Sequence, residues 1–579
     1  MAENSDLGFQ IYRNGRRPVA ARVLVRELEH ALARLIPECN EERLLTALLR
    51  AGELECALSD ADSPDNAVAL TDEIAAVACR NGSAGQSWGN GDAYRARKLL
   101  SQIRFEGELP VSRPEGFAYY ALHPVDFAGL ISNARLAHPS AFVIGIRSIG
   151  TTLSAIVQAQ LACEGVSSSR TTVRPFGHPY DRRSEFTSGQ RQDIRLALAR
   201  GAVFLVCDEG PGRSGSSFIS VAEALEREGV RREDIVLLCS HHPDVDSLCA
   251  DNAQTRWRRY KSIASGLTKH IPAAAGAFLG GGEWRRHFVP PGRQWPATWP
   301  QMERLKYLSL DGQHVLKFEG HGPYGDIVRE REELLTESGF GSPYRGHKCG
   351  FGCTDLVKGP GLRARDASAG LLGHMARYCW WRSEALGSNL THDDVQQLEF
   401  MAAGNLQQEF GWAPALKLQI ERPTVCDGRM QPGKWQVASS GSWIKLDAST
   451  HGDDHFFPGP CDIAWDLAAL CIEWDLSTAG RTYFISEYRR ISYDDPERRL
   501  ADYELAYAAF RLGWSRMAAA SVQGNEDEPR LLAEHSRYQA ILGRLLASRW
   551  RPTSSTVPAT GVAYSLQRRA NAGCGSTQY

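Results

Sequence analysis

The spacing of hydrophobic and polar positions changes character along this chain. Through residues 18–102 apolar residues recur every three or four positions, in Val23–Ile36, Glu41–Ala51 and Val68–Cys79, which predicts amphipathic helices around a Gly/Asn-rich break at 81–92. From Phe142 the pattern switches to short runs with no polar face: Phe142–Ile146, Val203–Cys207 and Ile235–Ser240, with a helix-period stretch at Phe218–Glu228. Strands that are apolar on both faces belong to a parallel sheet covered by helices on each side, so this stretch predicts a doubly wound α/β domain. A Pro/Gly/Trp-rich segment from Ile271 to Pro300 breaks the periodicity, and beyond it strands come as hairpins. Arg304–Leu308 and His314–Phe318 flank an Asp311-Gly312 turn, and Lys434–Ala438 and Trp443–Leu446 flank a Ser-Ser-Gly-Ser turn. An acidic helix at Asp326–Ser338 and helices across 366–411 and 496–550 complete an α+β half.

These patterns divide the chain into a helical region at 1–106, a parallel-sheet domain at 107–265, a linker at 266–302, a two-lobed α+β domain at 303–551 and a disordered tail at 552–579.

The chemistry begins where the apolar strands end. Val203–Cys207 runs into the acidic pair Asp208-Glu209 and then into a small-residue loop, Gly-Pro-Gly-Arg-Ser-Gly-Ser-Ser, that opens the next helix. Small residues let backbone N–H groups converge on a phosphate at a helix N-terminus, and the carboxylates can accept hydrogen bonds from vicinal hydroxyls. The earlier strand ends in Arg147-Ser148-Ile149-Gly150, a second short loop with a cation where a second anion can dock. Two anion loops in one sheet imply a doubly charged substrate.

This pair of loops resembles the type I phosphoribosyltransferases over about residues 107–262. The resemblance implies pyrophosphate at Arg147, Ser148, Ile149 and Gly150, and the ribose 5-phosphate at Arg213, Ser214, Gly215, Ser216 and Ser217. It implies that Asp208 and Glu209 hold the ribose hydroxyls or Mg, with phosphoribosyl pyrophosphate as substrate. The loop departs from the family pattern by one extra residue, around Pro211. Thr172–Arg183, rich in Gly, Pro and charge, reads as a flap with Arg174, His178 or Arg182 reaching the diphosphate, and equally as a solvated loop. His241 and His242, just past the next strand, read as acceptor-site or capping residues.

The second half carries a different chemistry. Lys317 lies late in a strand and is followed by a glutamate-bearing helix, and Asp427 lies in a loop before a hairpin that ends on Asp447. This layout resembles the aminoglycoside and choline phosphotransferases, which are protein-kinase-like. The resemblance implies ATP as substrate gripped by Lys317 with Glu330 or Glu333, Asp427 as the catalytic base, Asp447 as the Mg ligand, and Asp466 bracing the catalytic loop. Pro432 stands where the family places a metal-binding Asn, with Gln431 the nearest amide. Two further metal readings are His451–His455, with two imidazoles and two carboxylates, and His347 with Cys349 and Cys353, which lack a fourth ligand nearby.

Composition narrows the function classes. A net charge of −2 and 43% hydrophobic residues demand neither a polyanionic nor a membrane partner, and Arg256–Lys261 reads as a solvated basic turn more than a nucleic-acid surface. Fourteen scattered cysteines fit a reducing cytoplasm, and no apolar run reaches membrane-spanning length. The expectation is a cytoplasmic bifunctional transferase for small molecules, compatible with a homo-oligomer, combining phosphoribosyl transfer or its reversal with ATP-dependent phosphorylation of a hydroxyl. The alternative is a sensor that binds phosphoribosyl pyrophosphate or a nucleotide without turnover.

Overall fold

The computed structural model describes residues 8–549 apart from 37–38, 85–87, 135–137, 179, 267–269 and 360. The tail at 552–579 lies outside the described residues.

After an N-terminal arm, strand β1 (Arg17–Ala20) leads into helices α1 (Ala21–Ala33), α2 (Glu41–Asp60), α3 (Asp65–Ala84) and α4 (Asn90–Gln102), and β2 (Glu108–Val111) returns to pair with β1. Short helices α5 (Glu115–Ala118) and α6 (Asp126–Ala134) precede the parallel sheet. Its strands are β3 (Ser140–Ile146), β4 (Ser167–Val173), β7 (Val203–Cys207), β8 (Ile235–Cys239) and β9 (Lys261–Ala264), in the order β4-β3-β7-β8-β9 and all parallel. A small hairpin of β5 (Phe176–His178) and β6 (Asp181–Arg183) occupies the stretch read as a flap. Helices α7 (Ile149–Cys163), α8 (Ser188–Ala199), α9 (Ser216–Arg227) and α10 (Ala253–Trp257) cover the sheet.

The unbroken apolar runs are explained by where alternate residues go. Ala141, Val143, Leu205 and Leu238 pack into a core shared with α2, α3 and α7, whereas Phe142, Ile144, Phe204, Val206 and Leu237 pack into a second core with α8 and α9. A strand buried on both faces has no polar side to show. The N-terminal helices are therefore the cover of one sheet face.

The stretch read as a linker is not free of structure. Within 266–302, β10 (Ala275–Phe278) is the edge strand of the next sheet, paired with β11 (Lys306–Ser309), and α11 (Trp284–Phe288) is tied down by Arg285, which grips the Asp527 carboxylate at 2.5 and 2.8 Å. Proline and glycine density hid a strand of only four residues. The antiparallel sheet runs β10-β11-β12-β14-β13, with β12 (His314–Phe318), β13 (Tyr344–Lys348) and β14 (Phe351–Asp355), and carries helix α12 (Pro323–Ser338).

The helical lobe holds α13 (Ala369–Ala385) and α14 (His392–Phe410), then β15 (Pro423–Thr424), the hairpin β16 (Trp435–Val437) and β17 (Trp443–Lys445), and β18 (Cys461–Asp462), which pairs with β15. Helices α15 (Ala464–Glu473), α16 (Thr478–Ser492), α17 (Glu497–Ser521) and α18 (Glu528–Arg549) complete its core. The N-terminal arm belongs to this lobe's core: Phe9 and Ile11 are buried in it, and the Ile11 carbonyl accepts from Phe457 N–H at 3.0 Å. Among the described residues no helix is long and apolar enough to cross a membrane.

Candidate functional site

In the parallel sheet β3 and β7 are neighbours, with Gly145 opposite Cys207, and the chain leaves them toward opposite faces into α7 and α9. That is the topological switch point, where open α/β sheets gather ligands beyond the carboxyl ends of the strands. The loops at 147–150 and 208–217 flank it. Glycine is required at the seam, because a Cβ on Gly150 would lie 2.3 Å from the Cys207 carbonyl oxygen and one on Gly145 would lie 2.2 Å from the Gly150 carbonyl oxygen. Gly215 caps α9 at φ +68°, and Ser214 Oγ accepts from Ser216 N–H at 3.2 Å, so the loop coils tightly into the helix. Pro211, in the lengthened part of the loop, accepts from Gly215 N–H at 2.8 Å. Arg213 is exposed, and its carbonyl is anchored by Cys249 N–H at 3.0 Å. His241 abuts Gly210, whose added Cβ would meet the imidazole at 2.6 Å.

The structure corrects one role in this crevice. Arg147 does not extend its guanidinium over its own loop. It turns back to Asp60, at 3.2 Å, to the Ser59 carbonyl at 2.9 Å and to Thr172 Oγ1 at 2.9 Å. Asp60 also takes Arg16 at 2.5 Å and Arg174 at 2.7 Å. Burial alone would raise the Asp60 carboxyl, but Arg174, Arg147 and Arg16 outweigh it and hold it below the usual range. Three guanidiniums on one carboxylate leave surplus positive charge beside Ser148 and Thr152, which share a small cleft with Arg174. The sequence had no means of pairing Asp60 with arginines so distant along the chain.

The acidic pair shows the opposite imbalance. Burial pushes Asp208 well above the carboxylate range despite a hydrogen bond from Glu209 N–H at 2.8 Å, and it pushes Glu209 up to about 7. Glu115, absent from the sequence reading, joins them: burial and then Glu209 push it up to about 8. Both glutamates ionise near 4.5 in an unfolded chain, so the folded protein holds protons that unfolding releases. Stability therefore falls as pH rises from about 4.5 to about 8. In urea midpoints measured from pH 5 to pH 9, Glu115→Gln is expected to flatten this decline and to exceed the wild type at pH 8.5. Parallel curves for the two proteins would refute it.

The second half places its residues less simply. Lys317 on β12 donates to Asp447 and, at 2.7 Å, to Thr450 Oγ1. Glu330 and Glu333 lie exposed on the outer face of α12, and the helix glutamate that acts electrostatically on Lys317 is Glu332, buried and bonded to Ser449 Oγ at 2.5 Å. Helical period decided this: one position of rotation turns a side chain about 100° away. Asp427 is wholly buried. It accepts from Tyr378 Oη, pairs with Lys445 Nζ at 3.0 Å and lies under Arg382; burial would raise it, but Lys445 and Arg382 hold it below the usual range. In this arrangement the Asp427 carboxylate is closed off from solvent and engaged by Tyr378 and Lys445 rather than open to a bound hydroxyl. Asp466 accepts from the N–H groups of Asp427 and Gly428 at 2.7 and 3.0 Å, the geometry of a brace.

Asp447 is surrounded by cations. Lys434 Nζ lies 2.7 Å away and Lys306 Nζ 3.7 Å away, Lys317 completes a trio, and His451 Nε2 is at 3.4 Å. Against the effect of burial, the three lysines hold Asp447 well below the usual range. A divalent ion needs uncompensated oxygen charge, and here one carboxylate already faces three ammonium groups, so these residues do not fit Mg²⁺ as a protein-held ion. They fit a polyanion. His451 does not gather a metal set either, since its two nitrogens face different carboxylates, Asp447 and Asp454 at 3.4 and 3.6 Å.

No protein-family model matches this sequence, and no curated protein matches it. Among solved structures the chain is similar to choline kinase LicA from Streptococcus pneumoniae, at 15% identity and a TM-score of 0.31 over 42% of this chain and 89% of that one. It is also similar to an ethanolamine kinase of Plasmodium vivax, at 12% identity and a TM-score of 0.28 over 42% of this chain and 81% of that one. A spectinomycin phosphotransferase, solved with ADP and spectinomycin, is similar at 11% identity and a TM-score of 0.31 over 45% of this chain and 92% of that one. These structural neighbours are small-molecule phosphotransferases.

The two candidate sites meet at one segment, which the sequence reading passed over. Arg113 bonds Asp453 at 3.1 Å, and Arg331 of α12 takes the same carboxylate at 2.9 Å. Tyr120 Oη meets His455 Nε2 at 3.2 Å, and His455 stacks on Tyr12 at 5.5 Å. From the other side Gly116 N–H supports the Glu209 carboxylate, with no room for a Cβ between them. Residues 113–120 thus touch the acidic loop of the parallel sheet and the 451–455 loop of the helical lobe.

Proposed function

We propose that the parallel-sheet half is a transferase site for a phosphoribosyl diphosphate donor, and that the kinase-like half binds a nucleotide polyphosphate and reports its occupancy to that site. The observation that carries the first statement is the juxtaposition of two helix-opening loops across one switch point, with surplus arginine charge beside one and uncompensated carboxylates beside the other. A diphosphate is complementary to the Asp60-centred guanidinium group and the N-terminus of α7. The loop at 213–217 and the N-terminus of α9 suit the 5-phosphate at the far end of the same sugar.

In this reading Asp208 and Glu209 receive the ribose hydroxyls and fix the anomeric carbon between the loops. The chemistry asked of the protein is charge stabilisation of a departing diphosphate, supplied by donors already in place. Arg174, on Asp60 and at the base of the β5–β6 hairpin, links that hairpin to the diphosphate side. Asp208 and Glu209 are an oxygen-only pair, and in their ionised form they would hold Mg²⁺ entering with the donor, where it would neutralise diphosphate charge. His241, against Gly210, faces the position of an incoming nucleophile. The reading is tested by incubating the protein with phosphoribosyl pyrophosphate, Mg²⁺ and a panel of purine, pyrimidine and amine acceptors while following pyrophosphate. Binding by titration calorimetry without release under any acceptor would turn the assignment into a sensor.

For the second half, Lys306, Lys317 and Lys434 around Asp447 supply three ammonium groups to phosphate oxygens. The sealed state of Asp427 favours binding over phosphoryl transfer. Replacing Lys317 by Met removes one charge-assisted contact, so ATP is expected to bind about 10- to 100-fold more weakly in a fluorescence titration. Binding should persist in excess EDTA. If ATP binding instead depends on Mg²⁺, and a hydroxyl-bearing amine becomes phosphorylated, the half is a working phosphotransferase.

A further inference from the structure

We infer that Glu41, His123 and His270 form a binding site for a zinc-class divalent cation, separate from both sites above. Among the described residues this is the one trio of His, Cys, Asp or Glu side chains whose ligand atoms all lie within 4.8 Å of one another. His270 Nδ1 is 3.3 Å from Glu41 Oε1. Two ligands each about 2.0 Å from a tetrahedral zinc ion stand about 3.3 Å apart, so this edge already has the coordination spacing. The rings of His123 and His270 lie face to face at 3.5 Å, and His321 meets His123 edge-on at 5.0 Å. Three imidazoles from segments distant along the chain are thus gathered at one point.

The surroundings support a ligand more than a packing cluster. His321 is 2% exposed, and neither ring nitrogen makes a well-formed hydrogen bond, with only a backbone contact from Ala121 to favour its charged form. Buried polar groups without partners are rare and mark an absent ligand or strain. The trio opens on a cavity of about 620 Å³ that His321, His347 and Cys349 also line. His347 and Cys349 are two of the residues that the sequence put forward as a zinc cluster; Cys353, the third, sits across the sheet on β14 and does not line the cavity. Asp126 stands 3.6 Å from His270 Nε2, the outer-shell carboxylate that orients a ligating imidazole. Loading has two costs: the 3.3 Å contact from Val125 N–H to His123 Nδ1 must be given up if His123 binds through Nε2, and the stacked rings of His123 and His270 must turn so that their in-plane lone pairs converge on one ion.

The ligands come from the start of α2, the turn before α6 and the crossing from the parallel sheet to the antiparallel one. A cation here would pin the crossing segment to the helical cover. Nitrogen and carboxylate ligands favour Zn²⁺, Co²⁺ or Ni²⁺ over Mg²⁺.

The test uses the full chain, stripped with a chelator and titrated with Co²⁺ and then Zn²⁺. The expected result is one equivalent of Co²⁺ with visible ligand-field absorption, displaced by Zn²⁺ at one equivalent by elemental analysis. Glu41→Gln, at a side chain 65% exposed and so without consequence for folding, is expected to lower affinity at least ~10-fold. His123→Ala should abolish binding, and His392→Ala, at an exposed helix start, should leave it intact. A wild type that binds no Co²⁺, or a Glu41→Gln variant that binds as tightly as wild type, overturns the site.

Discussion

Lys445→Met is expected to destabilise the helical lobe by about 3–5 kcal/mol, the cost of removing one partner from a buried ion pair. Lys445 and Asp427 are both fully enclosed at 3.0 Å, and no water can take over the abandoned carboxylate. Arg382 softens the loss without cancelling it, because its guanidinium already donates to the backbone carbonyls of Val425, Cys426 and Ala448. Denaturant unfolding followed by tryptophan fluorescence reads the effect directly, since Trp435 lies against the Lys445 ammonium. A second substitution, Asp427→Asn, removes the orphaned charge, and the double variant should recover part of the loss. An unchanged midpoint for Lys445→Met would mean that Asp427 is hydrated in solution, and the argument that it is sealed away from substrate would fail with it.

Asp208→Asn is expected to lower pyrophosphate release from phosphoribosyl pyrophosphate by about 100-fold or more while leaving the fold intact, the scale of loss when a preorganised electrostatic group is removed. Asp208 lies directly beyond a fully buried strand, so its position is fixed by the sheet rather than by a loop. The amide keeps the size and the hydrogen bond from Glu209 N–H is weakened, so structural damage is small. Because burial raises the Asp208 carboxyl above its ordinary range, the deficit should be smallest at low pH, where both proteins carry a neutral group, and largest where donor and metal draw the carboxylate into its charged form. Retention of wild-type release across the pH range would remove the acidic pair from the chemistry.

Much of the parallel-sheet half was legible in the chain because its signals are local. A strand buried on both faces must be apolar throughout, and Phe142–Ile146 and Val203–Cys207 are. A loop that turns a strand into a helix over another backbone must be small, and Gly150 and Gly215 meet that need. The hairpin of β11 and β12 and the hairpin before Asp447 were legible for similar reasons of short sequence separation, whereas β10, β13 and β14 were not read and the contact of Asp466 with Asp427 spans 39 residues. Element ends moved by a few residues, and α2 ran on to Asp60 where the periodic reading stopped at Ala51.

What the sequence by itself determined was therefore the order of the longer helices and of the apolar strands, and the residue types offered at the strand ends. Only tertiary structure decided which charges meet. Asp60 collects arginines from three segments, Asp447 collects three lysines, Glu115 is carried to Glu209, and Glu41 reaches two histidines from distant segments. The physical reason is range. Periodicity and turn chemistry act over a few residues and leave a mark in the local pattern, whereas charge balance in a buried site depends on distances of a few ångströms between positions unrelated along the chain.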